Sequence, residues 1–109
     1  MIKPNIDRIT RMEKALDTVS AAVKNLSEAA NAYAEAQSQY QALTDYYFGP
    51  DWMRDYQDDC DGLVPQDLKR GVLSEDAVYN LVSDNEALIE LLRELLQNLE
   101  SKKTAPDRI

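Results

Sequence analysis

Ile9-Thr10-Arg11-Met12-Glu13-Lys14-Ala15-Leu16-Asp17-Thr18-Val19-Ser20-Ala21-Ala22-Val23-Lys24-Asn25-Leu26 is the stretch whose reading decides the fold. Its apolar side chains return after alternating steps of three and four: Ile9, Met12, Leu16, Val19, Val23 and Leu26. That interval is the seam of a coiled-coil helix; a strand, with its period of two, does not reproduce it. Followed outward, one seam position holds Ile9, Leu16, Val23, Ala30 and Gln37, and the other Met12, Val19, Leu26, Tyr33, Tyr40 and Tyr47. No Gly or Pro interrupts residues 5–48, while Pro4 stands before them and Gly49-Pro50 after. The spacing therefore predicts one helix over about 5–48, roughly 66 Å long. Ala15, Ala22, Ala29 and Ala36 form a second stripe beside the seam. Small side chains there allow close packing, although alanine is also the best filler of neutral helical positions.

A second periodic stretch follows Gly71-Val72-Leu73-Ser74. Ser74 is a good N-cap, with Glu75 and Asp76 placed to favour the helix dipole. Val78, Leu81, Asn85, Leu88, Leu92, Leu95 and Leu99 mark its seam, broadened by Val82, Ile89 and Leu96. Ser83 and Glu86 have capping-box spacing, so a break near Asp84 competes with one continuous helix over about 74–101; continuity is preferred. Asn85 either fixes register within the seam or caps such a break. The expected fold is all-α: a long N-terminal helix packed antiparallel on a shorter C-terminal one, as a coiled-coil-like hairpin or bundle. One domain is expected over residues 1–103, with a frayed tail over 104–109. The second helix, roughly 40 Å long, covers only part of the long seam. Either the connector or a second copy of the chain covers the rest, which makes a homodimeric bundle an expected form.

The connector, about 49–73, carries most of the charge. Between residues 45 and 67, seven aspartates (Asp45, Asp51, Asp55, Asp58, Asp59, Asp61 and Asp67) face one arginine, Arg54, giving −6 of the chain's −8. Asp51 to Tyr56 is expected as a brief helix with Trp52 and Tyr56 on one face. Pro65 suits the first turn of another short helix, Gly71 its left-handed end, and Val72 and Leu73 a plug at the junction. Tyr33, Tyr40, Tyr46, Tyr47, Phe48 and Trp52 are expected to cluster beneath this connector.

Composition narrows the functional class. Hydrophobic residues at 44% support a core, and three glycines and eight aromatics argue against a sandwich of many turns. A net charge of −8 repels nucleic-acid backbones, so no direct nucleic-acid binding is expected. One cysteine, Cys60, gives no internal disulfide, and neither a signal peptide nor a membrane span is legible. A cytoplasmic location is expected.

Asp51-Trp52-Met53-Arg54-Asp55-Tyr56, followed by Leu63-Val64-Pro65-Gln66-Asp67-Leu68-Lys69-Arg70-Gly71-Val72-Leu73-Ser74-Glu75-Asp76-Ala77-Val78-Tyr79-Asn80-Leu81, resembles a small bacterial family labelled a domain of unknown function, DUF4298. Its members look like a long helix with a tyrosine-rich end, a W-M-x-D-Y segment, an L-P-x-D-L-K-x-G-V-L-S-E-D stretch and a leucine-rich helix. Val64 stands here between the Leu and Pro of that stretch. The resemblance implies a bacterial, helical, single-domain protein and carries no activity.

The residues themselves point away from catalysis. Asp59, Asp61 and Gly62 match three places of a calcium loop, but Gln57 and Leu68 occupy its first and twelfth places. Asp55, Asp58, Asp59 and Asp61 form a polar turn with little burial to raise a catalytic carboxyl. Cys60 lacks a histidine to activate it and is flanked by two aspartates. No catalytic residue, cofactor or metal is expected. The leading reading is a non-catalytic adaptor, regulatory or immunity-type module. Trp52, Asp55, Tyr56, Asp58, Asp59 and Asp61 are its candidate contacts to another protein, one of basic character. An acidic nucleic-acid mimic and a structural coiled-coil dimer are the competing readings.

Overall fold

Asn5 starts the first helix: its Oδ1 accepts the Arg8 N–H at 2.9 Å, and Asp7 sits in the first turn. From there the computed structural model, which describes residues 3–102, is helical. The elements are α1 (Ile6–Glu35), α2 (Gln37–Tyr47), α3 (Pro50–Cys60), a 3₁₀ turn (Gly71–Leu73) and α4 (Ala77–Ser101). No strand occurs among the described residues, so the chain is all-α. The tail expected over 104–109 lies outside them.

The described chain divides into two units, one running to Ala42 and one beginning at Leu43 within α2. In the first unit, no residue of α1 is buried. Ile9, Met12, Leu16, Val19, Val23 and Leu26 are 52–63% exposed, so the unit does not cover its own seam. The one helix expected over 5–48 is interrupted at Ala36. There the Ala36 N–H reaches both the Ala32 and Tyr33 carbonyls, at 3.0 and 3.2 Å, and Gln37 Nε2 donates to the Tyr33 oxygen at 3.1 Å. Ala36 keeps helical dihedrals, and the Tyr40 N–H to Ala36 oxygen bond of 2.9 Å resumes the ladder. A shared carbonyl, with no Gly or Pro involved, makes this irregularity.

The second unit builds its interior from Trp52, Leu73 and Val78, which are 3–8% exposed. α2 ends at a sharp corner, where Gly49 caps α3 and Pro50 occupies its first turn. A Cβ on Gly49 would stand 2.8 Å from the Asp45 carbonyl oxygen. Glycine lets the chain turn this close to the last turn of α2. α3 runs eleven residues, longer than the brief helix expected, and closes in a Schellman motif. Gly62, at φ +77°, donates to the Asp59 oxygen, and the Leu63 N–H donates to that of Asp58.

Three boundary expectations are corrected here. The left-handed glycine is Gly62; Gly71 instead opens the 3₁₀ turn. Pro65 starts a single turn, closed by the Leu68 N–H on its carbonyl, and no helix follows it. α4 begins at Ala77, three residues later than expected. Ser74 still serves its start, since Oγ accepts the Ala77 N–H at 3.2 Å and donates to the Gly71 carbonyl at 2.9 Å. Past Asp84, α4 continues unbroken to Ser101.

Gly49→Ala is expected to destabilise the protein by about 1–3 kcal/mol through overpacking at the corner. Gly62→Ala is expected to cost about 1–2 kcal/mol through its left-handed backbone. Urea midpoints followed by helical circular dichroism measure both, and an unchanged midpoint for Gly49→Ala contradicts the corner geometry.

Candidate functional site

Trp52 sits on the first turn of α3 and turns inward, 8% exposed. Its indole Nε1–H donates to the Val72 carbonyl at 2.8 Å, which satisfies the one polar atom that burial would otherwise orphan. Tyr56, one helical turn on, stacks on the indole at a centroid separation of 5.0 Å and 14°. Tyr47, at the end of α2, meets the indole edge-on at 5.0 Å and packs against Phe48. The tyrosine hydroxyls extend the grip on the following segment. Tyr47 donates to the Glu75 carbonyl at 3.2 Å, and Tyr56 donates to Glu75 Oε1 at 2.6 Å. Three aromatic donors thus clamp residues 72–75 to the α2–α3 corner, with Leu73 and Val78 buried beside them.

A second set of contacts ties the loop to α3. Tyr46 donates to Asp55 Oδ2 at 2.6 Å. Arg70 Nε pairs with Asp59 at 3.4 Å, while Arg70 Nη1 donates to the Pro65 carbonyl at 3.0 Å. Between loop and helix lies a cavity of about 300 Å³. Val64, Leu68, Val72 and Leu73 give it apolar walls, and Tyr46, Asp55, Asp58, Lys69 and Arg70 give it polar ones.

The candidate contact residues therefore separate. Trp52 is core: its ring and N–H are both engaged inside. Tyr56 is half-buried on Trp52, Asp55 holds Tyr46, and Asp59 holds Arg70. Asp58 lines the cavity, and Asp61, exposed, accepts from Gln57 Nε2 at 3.0 Å. Cys60 is exposed between Asp59 and Asp61. Glu75 and Arg70 carry much of the clamp and escaped the sequence reading. Glu75 was explained locally by the helix dipole, and Arg70 had no periodicity to mark it. Tyr33 and Tyr40, expected in the same aromatic group, belong to the unit that ends at Ala42.

The hydroxyls of Tyr46 and Tyr56 resist ionisation. Burial, then the Asp55 carboxylate, pushes Tyr46 up from 10.0 to about 12. The hydrogen bond to Glu75, then Cys60 nearby, pushes Tyr56 up to about 12. Among the described residues, no group of three or more His, Cys, Asp or Glu side chains is placed to hold a metal ion. Nor is any helix there long and apolar enough to cross a membrane.

The Trp-Met-Arg-Asp-Tyr turn and the loop it clamps lie inside a stretch, residues 9–97, that matches the family described as Domain of unknown function (DUF4298). The chain belongs to DUF4298. The match spans most of α1 through most of α4, so the clamp, the acidic helix and both seams up to Leu95 fall within the DUF4298 region. No curated protein and no solved structure matches the chain.

Trp52→Phe keeps an aromatic ring but strands the Val72 carbonyl and leaves space, and is expected to cost about 1–3 kcal/mol in urea unfolding. The tyrosines add a pH dependence. Unfolded tyrosine releases its proton near 10.0 and the folded chain holds it to about 12. The unfolded state thus binds fewer protons in that window. Stability from these groups is intact below pH 10 and falls as pH rises towards 12. Tyr46→Phe should flatten part of that fall, and an unaltered slope would show that its hydroxyl does not contribute.

Proposed function

We propose that this chain is a non-catalytic protein–protein interaction module of the adaptor, regulatory or immunity type. Its partner surface is the acidic face built on α3 and the loop that follows. The supporting observation is the −6 charge of residues 45–67, half of it on the helix α3 that the Trp52 clamp holds in place. A fixed acidic face steers a basic partner and aligns it before contact, with little ordering cost on this side.

In this reading Asp58 and Asp61 present the charge, while Asp55 and Asp59 are engaged by Tyr46 and Arg70. Apolar contact comes from Phe48, Met53 and Leu63, each more than half exposed, in place of the buried Trp52. The 300 Å³ cavity suits one long basic side chain, its methylenes along Val64 and Leu68 and its charge towards Asp58. The expected coiled-coil hairpin or bundle enters as assembly. The seams of α1 and α4 both carry exposed apolar side chains, and a helical bundle would cover them.

The test is affinity purification of the tagged protein from its host at low and high salt, beside an Asp58→Asn/Asp61→Asn variant. A partner held at low salt, released at high salt and lost with the variant is the expected outcome. Retention through both changes argues against the acidic face. Displacement of that partner by added nucleic acid would instead favour a nucleic-acid mimic.

A further inference from the structure

We propose that α1 is a self-association surface on which a second copy of this chain docks in parallel and in register. The proposal is independent of the acidic face. Helices in proteins draw most of their stability from packing an apolar face, yet thirty-residue α1 has no buried residue. Counting heptads from Ile9 and Met12 as the two seam positions fixes what flanks them. Arg8, Ala15, Ala22 and Ala29 precede each member of the first series. Glu13, Ser20, Ser27 and Ala34 follow each member of the second. Every other charged residue of α1 falls outside these four positions, so the face is broad and almost uncharged.

The flanks choose both the occupant and its direction. In a parallel, in-register pair, each preceding-side residue lies against the following-side residue five places on in the other helix. Arg8 then meets Glu13 of the second copy, and symmetry repeats the contact. All remaining flanking pairs join small side chains, alanine with serine or alanine with alanine, which let the backbones come close. An antiparallel pair would set like flanks together and leave Arg8 and Glu13 facing small residues at the far end. Net charge also permits the approach. Residues 1–44 carry five acids and five bases, so these segments meet without the repulsion that −8 on the whole chain would impose.

The test uses the full chain. Sedimentation equilibrium should give about twice the 12.4 kDa of one copy. In a Cys60→Ser background, Met12→Cys should form a covalent dimer on mild oxidation, because parallel registry places the two introduced thiols side by side. Glu13→Arg should weaken the dimer roughly tenfold at low salt, and Arg8→Glu combined with Glu13→Arg should restore it. A monomeric mass, with α1 covered by this chain's own α4 or by nothing, overturns the proposal. So does a dimer that Met12→Cys fails to cross-link, since the second copy then runs antiparallel. Failure of the charge swap to restore pairing overturns the Arg8–Glu13 contact.

Discussion

A buried indole must place its N–H, and in this chain the place it finds is a loop carbonyl twenty residues away. Trp52 enters the interior of the second unit with Nε1 bonded to the Val72 oxygen at 2.8 Å, and the arrangement around it follows. Leu73 and Val78 are buried in the same interior, on either side of the start of α4. Tyr47 and Tyr56 then reach Glu75 from two sides of the indole. The ring contacts and the polar bonds hold the same residues, so each helps to position the other. Without Trp52, the corner, loop and helix start would share no interior.

That constraint also sorts the aspartates. Seven carboxylates within 23 positions would repel one another in a flexible turn. On α3 and its loop, three are engaged: Asp55 accepts from Tyr46, Asp59 pairs with Arg70, and Asp51 pairs with Arg54. Neither salt bridge nor hydroxyl bond need be strong to matter, since each also decides which carboxylates remain outward. Asp58 and Asp61 are left towards the cavity and the solvent. The charge on the proposed contact face is thus an outcome of how the clamp closes, and the same aspartates on an unfolded loop would present no fixed pattern.

Sequence periodicity carried the helices because it reflects local geometry. The three-and-four spacing from Ile9 to Leu26 lies within α1, and that from Val78 to Leu99 within α4. The break at Ala36 left no mark, because it arises from a carbonyl shared among Ala36, Gln37 and the preceding turn, with ordinary helical residues throughout. Among the glycines, composition alone could not say which takes the left-handed turn. Gly62 ends an eleven-residue helix and Gly71 does not, a difference set by where α3 stops. Trp52 and Tyr56 were legible as neighbours one turn apart, yet not as core, since their cover comes from residues 72–75, beyond a loop. Glu75 illustrates the same limit: one local reason for a residue conceals a second, distant one.

The fold of the second unit therefore rests on a shielded Trp52, and the chain contains no other tryptophan to confuse its signal. Acrylamide quenching of native-state fluorescence measures that shielding directly. An indole held between Tyr47, Tyr56 and the Val72 carbonyl should be quenched far less than in urea-unfolded chain, and the protection should vanish together with the helical signal. Equal quenching of folded and unfolded protein would show the ring open to water and the clamp absent.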